Sequence, residues 1–221
     1  MRLLLAVAVA ALGLAVAPGP PADAVPGVCP PICDAIPDPA WPVSSSLPLY
    51  SVYRWPGLAG LAVTAPAPRF MFEELCSSPP APADPRDYVV AARAQVANPA
   101  GQWQLRAQVL HWRGDVAHNA PLTRSVLDTA ESRLRTCQMT APLASPSVTT
   151  ADAEQLAAVI SVAGQKVVHQ YLLAHPTSGS IVELAMWSAV PVQVPWAAPP
   201  DAQVFQALAG PLCEAYLGSC R

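Results

Sequence analysis

Apolar and polar residues alternate most regularly from Asp87 to Arg113, DYVVAARAQVANPAGQWQLRAQVLHWR. Tyr88, Val90, Ala92, Ala94 and Val96 take every second position, with Arg93 and Gln95 between them. After Asn98-Pro99-Ala100-Gly101 the alternation resumes. Trp103, Leu105, Ala107 and Val109 share one parity, and Gln102, Gln104, Arg106 and Gln108 the other. Successive strand side chains point to opposite faces, so the stretch predicts a β-hairpin with one buried and one wet face. The apolar sets share a face if Val96 lies opposite Trp103, Ala94 opposite Leu105 and Val90 opposite Val109. Pro99 fixes φ at about −65° and is incompatible with the two-residue primed turns, which leaves a four-residue loop on a type I turn. This register sets Arg93 opposite Arg106 on the outward face.

Downstream, Leu122, Val126, Ala130, Leu134 and Cys137 recur at about one helical turn, predicting an amphipathic helix with Pro121 in its first turn. Glu131–Arg135 and Arg124–Asp128 fall at i,i+4 on its solvated face. Thr149 to Ala158 reads as a short helix. Val159–Ala163 and Lys166–Ala174 read as strands about a Gly164-Gln165 turn, followed by a strand at Ile181–Ser188. Apolar residues on both parities place these strands near the middle of a sheet. Asp201 caps a last helix, which Gly210-Pro211 kinks or interrupts. Upstream, RFMFEELC at 69–76 makes one short helix. Residues 25–68 carry prolines every few positions, which forbid a long helix or central strand. Trp41, Leu49, Tyr50, Tyr53 and Trp55 mark this stretch as an extended arm packed on the domain, with a short strand near Leu49–Arg54. Hairpins beside a few helices give an α+β fold: an antiparallel β-sheet with helices packed on one face, disulfide-stapled and preceded by the proline-rich arm.

Residues 1–24 set the compartment. Met1-Arg2, an uncharged run from Leu3 to Ala17 and Ala22-Asp23-Ala24 describe a secretory signal peptide cleaved after Ala24. The run reaches about 22 Å as a helix, short of roughly 30 Å of hydrocarbon. The expected product is residues 25–221, an arm at 25–68 and a single domain at 69–221, secreted and without a membrane span. Its net charge stays at −3, since Arg2 and Asp23 cancel. Lys166 is the sole lysine and no basic run exists, which argues against nucleic acid or an anionic membrane surface as partner. The low charged fraction, 12%, and the abundance of Ala and Pro resemble secreted actinobacterial proteins. Cys29, Cys33, Cys76, Cys137, Cys213 and Cys220 form an even set that export would oxidise to three disulfides. The preferred pairing is Cys29–Cys33, Cys76–Cys137 and Cys213–Cys220. Finger-like metal spacing is missing.

Candidate chemistry is sparse. No nucleophile elbow, zinc-protease helix, phosphate loop or dinucleotide glycine pattern occurs, and no cofactor is implied. Thr177-Ser178-Gly179-Ser180 reads as a turn. His111, on the inward parity, and His169 are candidate metal ligands or bases, each weighed against a hydrogen-bonded place at the core's edge. Glu183 stands among apolar residues as a candidate raised-pKa acid, or as the partner of an arginine. The outward hairpin face, with Arg93, Arg106, Gln95 and Gln104, is the candidate binding surface, because an anionic ligand would relieve opposed arginines.

The layout of hairpin–helix units with cysteines at helix ends, from LDTAESRLRTC to WSAV and LCEAYLGSC, resembles the extracytoplasmic sensor domains of mycobacterial serine/threonine kinases over roughly residues 70–220. That resemblance implies a disulfide-tied antiparallel sheet and a ligand cleft. The chain departs from it in having no kinase, no lipobox, an extra Cys29–Cys33 arm and a short final cysteine spacing. Three readings follow. The missing catalytic motifs favour a secreted, non-catalytic binding or sensor-like module for a small anionic ligand or an envelope protein. An exported hydrolase would need His111 or His169 beside Glu183, and a structural envelope protein would need the arm's aromatics exposed.

Overall fold

Strands far apart in sequence meet at the centre of the sheet: in the computed structural model, which describes residues 35–220, the strand Gln104–His111 pairs with the strand Ser180–Ala189. The expected leader and the expected Cys29–Cys33 pairing fall outside the described residues. In chain order come 3-10 turns at Asp38–Ala40 and Ser44–Ser46, helix α1 (Tyr50–Tyr53), a turn at Ala59–Leu61, β1 (Val63–Thr64) and α2 (Met71–Leu75). A 3-10 turn at Pro85–Tyr88 leads into β2 (Val90–Val96) and β3 (Gln104–His111), then α3 (Val116–Arg135) and α4 (Cys137–Thr140). The meander β4 (Ala144–Ala151), β5 (Gln155–Val162), β6 (Lys166–His175) and β7 (Ser180–Ala189) follows, and α5 (Asp201–Ala215) closes the chain. The sheet is antiparallel throughout, in the order β1-β2-β3-β7-β6-β5-β4. The apolar-on-both-faces strands, β6 and β7, sit in its interior as their pattern predicts.

Both faces are covered, which corrects the expectation of helices on one. Along β7, Val182, Leu184 and Met186 join one core, while Ile181 and Ala185 join the other. The first core is closed by Val204, Phe205, Leu208 and Leu212 of α5 and by Trp41, Leu49 and Trp55 of the arm. The second is closed by Phe72 of α2 and by Val126, Leu127, Ala130 and Leu134 of α3. A sheet that is apolar on both parities has two faces to bury, and one layer of helices cannot serve both. The described part of the arm is packed, with Trp55 3% and Trp41 5% exposed. Its predicted short strand is instead the single turn α1, entered and left through left-handed Leu49 and Arg54.

The hairpin forms, with its register displaced by two residues. Val96 faces Leu105, Ala94 faces Ala107, and Arg93 faces Gln108 rather than Arg106. An even displacement keeps every side chain on its predicted face. The longer loop is braced by side chains: Gln104 accepts from Asn98 N–H (2.7 Å) and donates to Asn98 O (2.6 Å), and Asn98 donates to Trp103 O (2.6 Å). Gly101, at φ +79°, makes the turn.

Other boundaries differ for local reasons. Thr149–Ala158 is two strands joined at Asp152, whose carboxylate accepts from the N–H groups of Glu154 and Gln155 and so turns the chain. The α3 helix begins a turn before Pro121, since Asp115 O accepts from His118 and Asn119, and buried Asn119 bonds Trp112 O at 2.8 Å. The α5 helix runs through Gly210-Pro211, because Pro211 is buried and Leu212 joins the first core. The described cysteines pair as expected: Cys76–Cys137 ties the end of α2 to α4, and Cys213–Cys220 closes the last turn of α5.

Candidate functional site

A buried ion cluster fixes the loop between α2 and β2. Glu73, at the third position of α2, accepts from Phe70 N–H (2.9 Å) and from both terminal nitrogens of Arg86 (2.6 and 2.9 Å). Arg133 of α3 bonds the same carboxylate. Arg86 also binds Asp84 through Nε (3.0 Å) and Nη2 (2.7 Å), and its guanidinium lies 4.9 Å from the Phe70 ring centroid. Glu73 is 1% exposed, Arg86 6% and Asp84 8%. Burial opposes the charge on Glu73, yet the Arg86 bonds and charge, the Phe70 N–H and the Arg133 charge outweigh it and hold the carboxyl below its ordinary range. The same balance lowers Asp84 and raises Arg86.

This cluster holds one wall of a cleft of about 620 Å³ between residues 83–89 and the start of α3. Its lining includes Asp87, Tyr88, Trp112, Arg113, His118 and Asn119. Trp112 donates from its indole to Pro85 O (3.1 Å) and accepts at its carbonyl from Asn119, so the two walls are tied together beneath the opening. Tyr88 is 84% exposed. The hairpin pattern predicts it as the first inward strand residue, but Pro85–Tyr88 is a 3-10 turn and β2 starts only at Val90. The Asp84-Pro85 dipeptide was the signal for that turn. Exposure of Tyr88, and the arrival of Arg113 and His118 beside it, depend on how α3 leaves β3. No pattern in the chain marks them.

The sequence-predicted binding surface lies elsewhere. Arg93 and Arg106 project onto the α2–α3 face, and Arg106 is 8% exposed, which corrects its assignment to a wet face. Arg106 makes a two-pronged pair with Glu74 (3.0 and 3.5 Å), and Arg93 donates to Gln108 (2.9 Å) and Arg69 O (3.4 Å). Burial and the neighbouring Arg106 charge lower the Arg93 pKa. Glu74 is thus the anion beside Arg106. Gln104 braces the hairpin loop and Gln95 is exposed, facing Arg106 across the ladder.

Glu183 is enclosed on this same face. Its Oε1 accepts from Met71 N–H (2.5 Å) and Gln170 (3.1 Å), not from an arginine, and Oε2 has no partner. Burial pushes its carboxyl up to about 7, against the pull of the Met71 N–H, the Arg106 charge, the Gln170 bond and the Arg93 charge. His111 and His169 lie on the opposite face, in the core of α5. His111 stacks on Tyr216 (4.3 Å between centroids) and contacts Ser180 Oγ (3.0 Å), while His169 stacks on Trp196 (3.8 Å). Burial lowers both to about 4, so each ring is neutral at pH 7. The sheet stands between these rings and Glu183, so the constellation a hydrolase would need is not assembled. Ser178 ends the 3-10 turn at Pro176–Ser178, and Ser180 opens β7 and is wholly buried.

Compared with known proteins, the chain matches no family model and no curated protein.

Proposed function

We propose that the protein is an extracytoplasmic, non-catalytic binding module, and that the cleft beside Tyr88 holds its ligand. One observation carries this reading: a large aromatic ring stands 84% exposed at the rim of a cleft whose walls are fixed by a buried ion cluster. A rigid concavity binds at lower entropic cost than one that must be ordered first. The volume suits a small molecule. Tyr88 offers a stacking face, His118 an imidazole, and Arg113 adds a guanidinium charge to a lining whose one carboxylate is Asp87, so a small anionic ligand with a flat or ring-shaped body fits best. Oxidised cysteine pairs fit an oxidising compartment, and no described helix is long and apolar enough to cross a membrane. The cysteine pairs support the secretory reading of residues 1–24. The likeness to kinase sensor domains adds the expectation of a ligand-reading role without catalysis.

The test is a thermal-shift screen of the full chain against uronic acids, sugar phosphates and aromatic carboxylates. A ligand at one hundred times its Kd adds about 2.7 kcal/mol of stability, a readily measured rise in melting temperature. Tyr88→Ala abolishes that rise if the cleft is the site. A rise that survives Tyr88→Ala moves the site elsewhere, and no rise with any member of the panel removes the small-anion reading.

A further inference from the structure

On the α5 side, at the end of the sheet where β6 meets the turn into β7, His175 faces the last disulfide. Nε2 of His175 lies 3.5 Å from Cys220 Sγ. Its Nδ1 is held 2.9 Å from Ser178 Oγ. The two sulfurs of Cys213 and Cys220 and a ring nitrogen of His175 all lie within 4.8 Å of one another. In a tetrahedral zinc site with bonds of about 2.0–2.3 Å, neighbouring donors stand roughly 3.3–3.8 Å apart. The observed nitrogen–sulfur distance already matches one such edge.

We propose that reduction of Cys213–Cys220 converts this corner into a soft-metal site, with Cys213, Cys220 and His175 as ligands to zinc or a similar thiophilic cation. The redox step is a thiol–disulfide exchange. A dithiol reductant gives up two electrons and two protons to the disulfide, becomes a disulfide itself and leaves two protein thiols. The divalent cation then displaces both thiol protons to solvent and takes the unprotonated Nε2 as third donor. Solvent fills the fourth position. Oxidation by a disulfide reverses the sequence and releases the metal.

Three features of the fold support it. The ligand frame does not depend on the disulfide: Tyr216 N–H bonds Leu212 O (3.0 Å), Ser219 N–H bonds Tyr216 O (3.1 Å), and Ser219 Oγ donates to Leu212 O (3.4 Å). Leu212 is buried in the first core, so the last turn of α5 keeps its place when the sulfurs separate. The Ser178 hydroxyl fixes the imidazole from behind, which leaves Nε2 as the metal-facing nitrogen with the proton on Nδ1. Accessibility separates the two described disulfides. Cys220 is exposed, whereas Cys76 and Cys137 are wholly buried, so a reductant in solution opens the local bond first.

The experiment uses the full chain carrying Cys29→Ser and Cys33→Ser, so that these thiols cannot chelate. After mild reduction with a dithiol, alkylation and peptide mass mapping locate the opened bond, the reductant is removed under argon, and zinc is titrated against a chromophoric chelator. The expected result is one zinc per chain, taken up only after reduction, with free thiols at Cys213 and Cys220 alone. His175→Gln, which keeps the melting temperature of the oxidised chain, weakens uptake at least about tenfold, since losing even an outer-shell partner of a metal ligand costs about 10–100-fold. Cadmium in place of zinc gives the thiolate charge-transfer band, which is lost in Cys220→Ser. Uptake by the oxidised chain, no uptake by the reduced chain, or uptake indifferent to His175→Gln each overturns the proposal.

Discussion

The two faces of the sheet solve the same burial problem with different chemistry. Toward α5 and the arm, the interior is aromatic and aliphatic: Tyr171 meets Phe205 edge-on, Trp103 leans on Trp196, and the buried histidines are uncharged at pH 7. Toward α2 and α3, charge is buried with its partners, Glu73 with Arg86 and Arg133 and Arg106 with Glu74, and Glu183 is enclosed there without an ion-pair partner. The aromatic face is held by packing, which tolerates small errors of geometry at modest cost. The ionic face is held by matched charges, which tolerate none, because an orphaned buried charge costs more than the pair contributes. The candidate ligand cleft opens beside the ionic face. The same cluster that makes this face sensitive to substitution makes the cleft rigid.

The sharpest way to break the contrast is to damage each face once. Glu73→Ala takes one of the two carboxylates from Arg86, leaving it Asp84 alone, and costs about 3 kcal/mol. Phe205→Ala leaves a cavity at a comparable cost of about 3–5 kcal/mol. Urea unfolding across pH tells them apart. The Glu73 carboxyl is held below its ordinary value, so its contribution is complete above that value and fades as pH falls through the lowered one. The penalty at Glu73 therefore shrinks in acid while that at Phe205 stays flat, and parallel pH profiles would sink the distinction. Among the described residues, each face also has one staple. Removing Cys76–Cys137, on the ionic face, costs about 4 kcal/mol, and removing Cys213–Cys220, at the end of α5, about 2 kcal/mol, since the loops closed differ in length. Equal losses by the same measurement would show that loop length is not what sets them.

Glu183 sharpens the comparison from within the ionic face. Its folded pKa, about 7, lies above its ordinary 4.5, so the folded chain binds a proton that the unfolded chain releases between these values. Stability from this group therefore falls as pH rises through that window, by on the order of 3 kcal/mol. Glu183→Gln removes this slope; a stability profile unchanged by the substitution would contradict the enclosed carboxyl. The smallest effect is expected at Arg135→Ala. Its i,i+4 pair with Glu131 is on the solvent side of α3, with the Arg135 side chain 59% exposed, and removing it shifts stability by about 0.5 kcal/mol or less.

Alternation and helical periodicity made much of this legible. The hairpin faces, the α3 stripe and the interior strands follow from patterns only two to seven residues long, while an even set of exported cysteines implies disulfides without fixing which pairs form. The cleft was not legible. Tyr88 continues the alternating pattern in sequence, and only the Asp84-Pro85 turn lifts it out of the strand. Arg93 and Arg106 failed in the opposite direction. Polar parity was read as contact with water, but a polar side chain also suits a buried face when the partner arrives from distant sequence, as Glu74 does for Arg106.

By itself, then, the sequence determined the alternation of β2 and β3, the apolar stripe of α3 and the alternation that buries both sides of the inner strands. These are local properties, set by backbone geometry and by the chemistry of near neighbours. Only the tertiary structure decided which layer covers each face, which carboxylate meets which arginine, and that His175 comes to lie against Cys220. Those pairings join residues far apart in the chain, and their free energies depend on burial and distance, which exist only once the sheet has closed between β3 and β7.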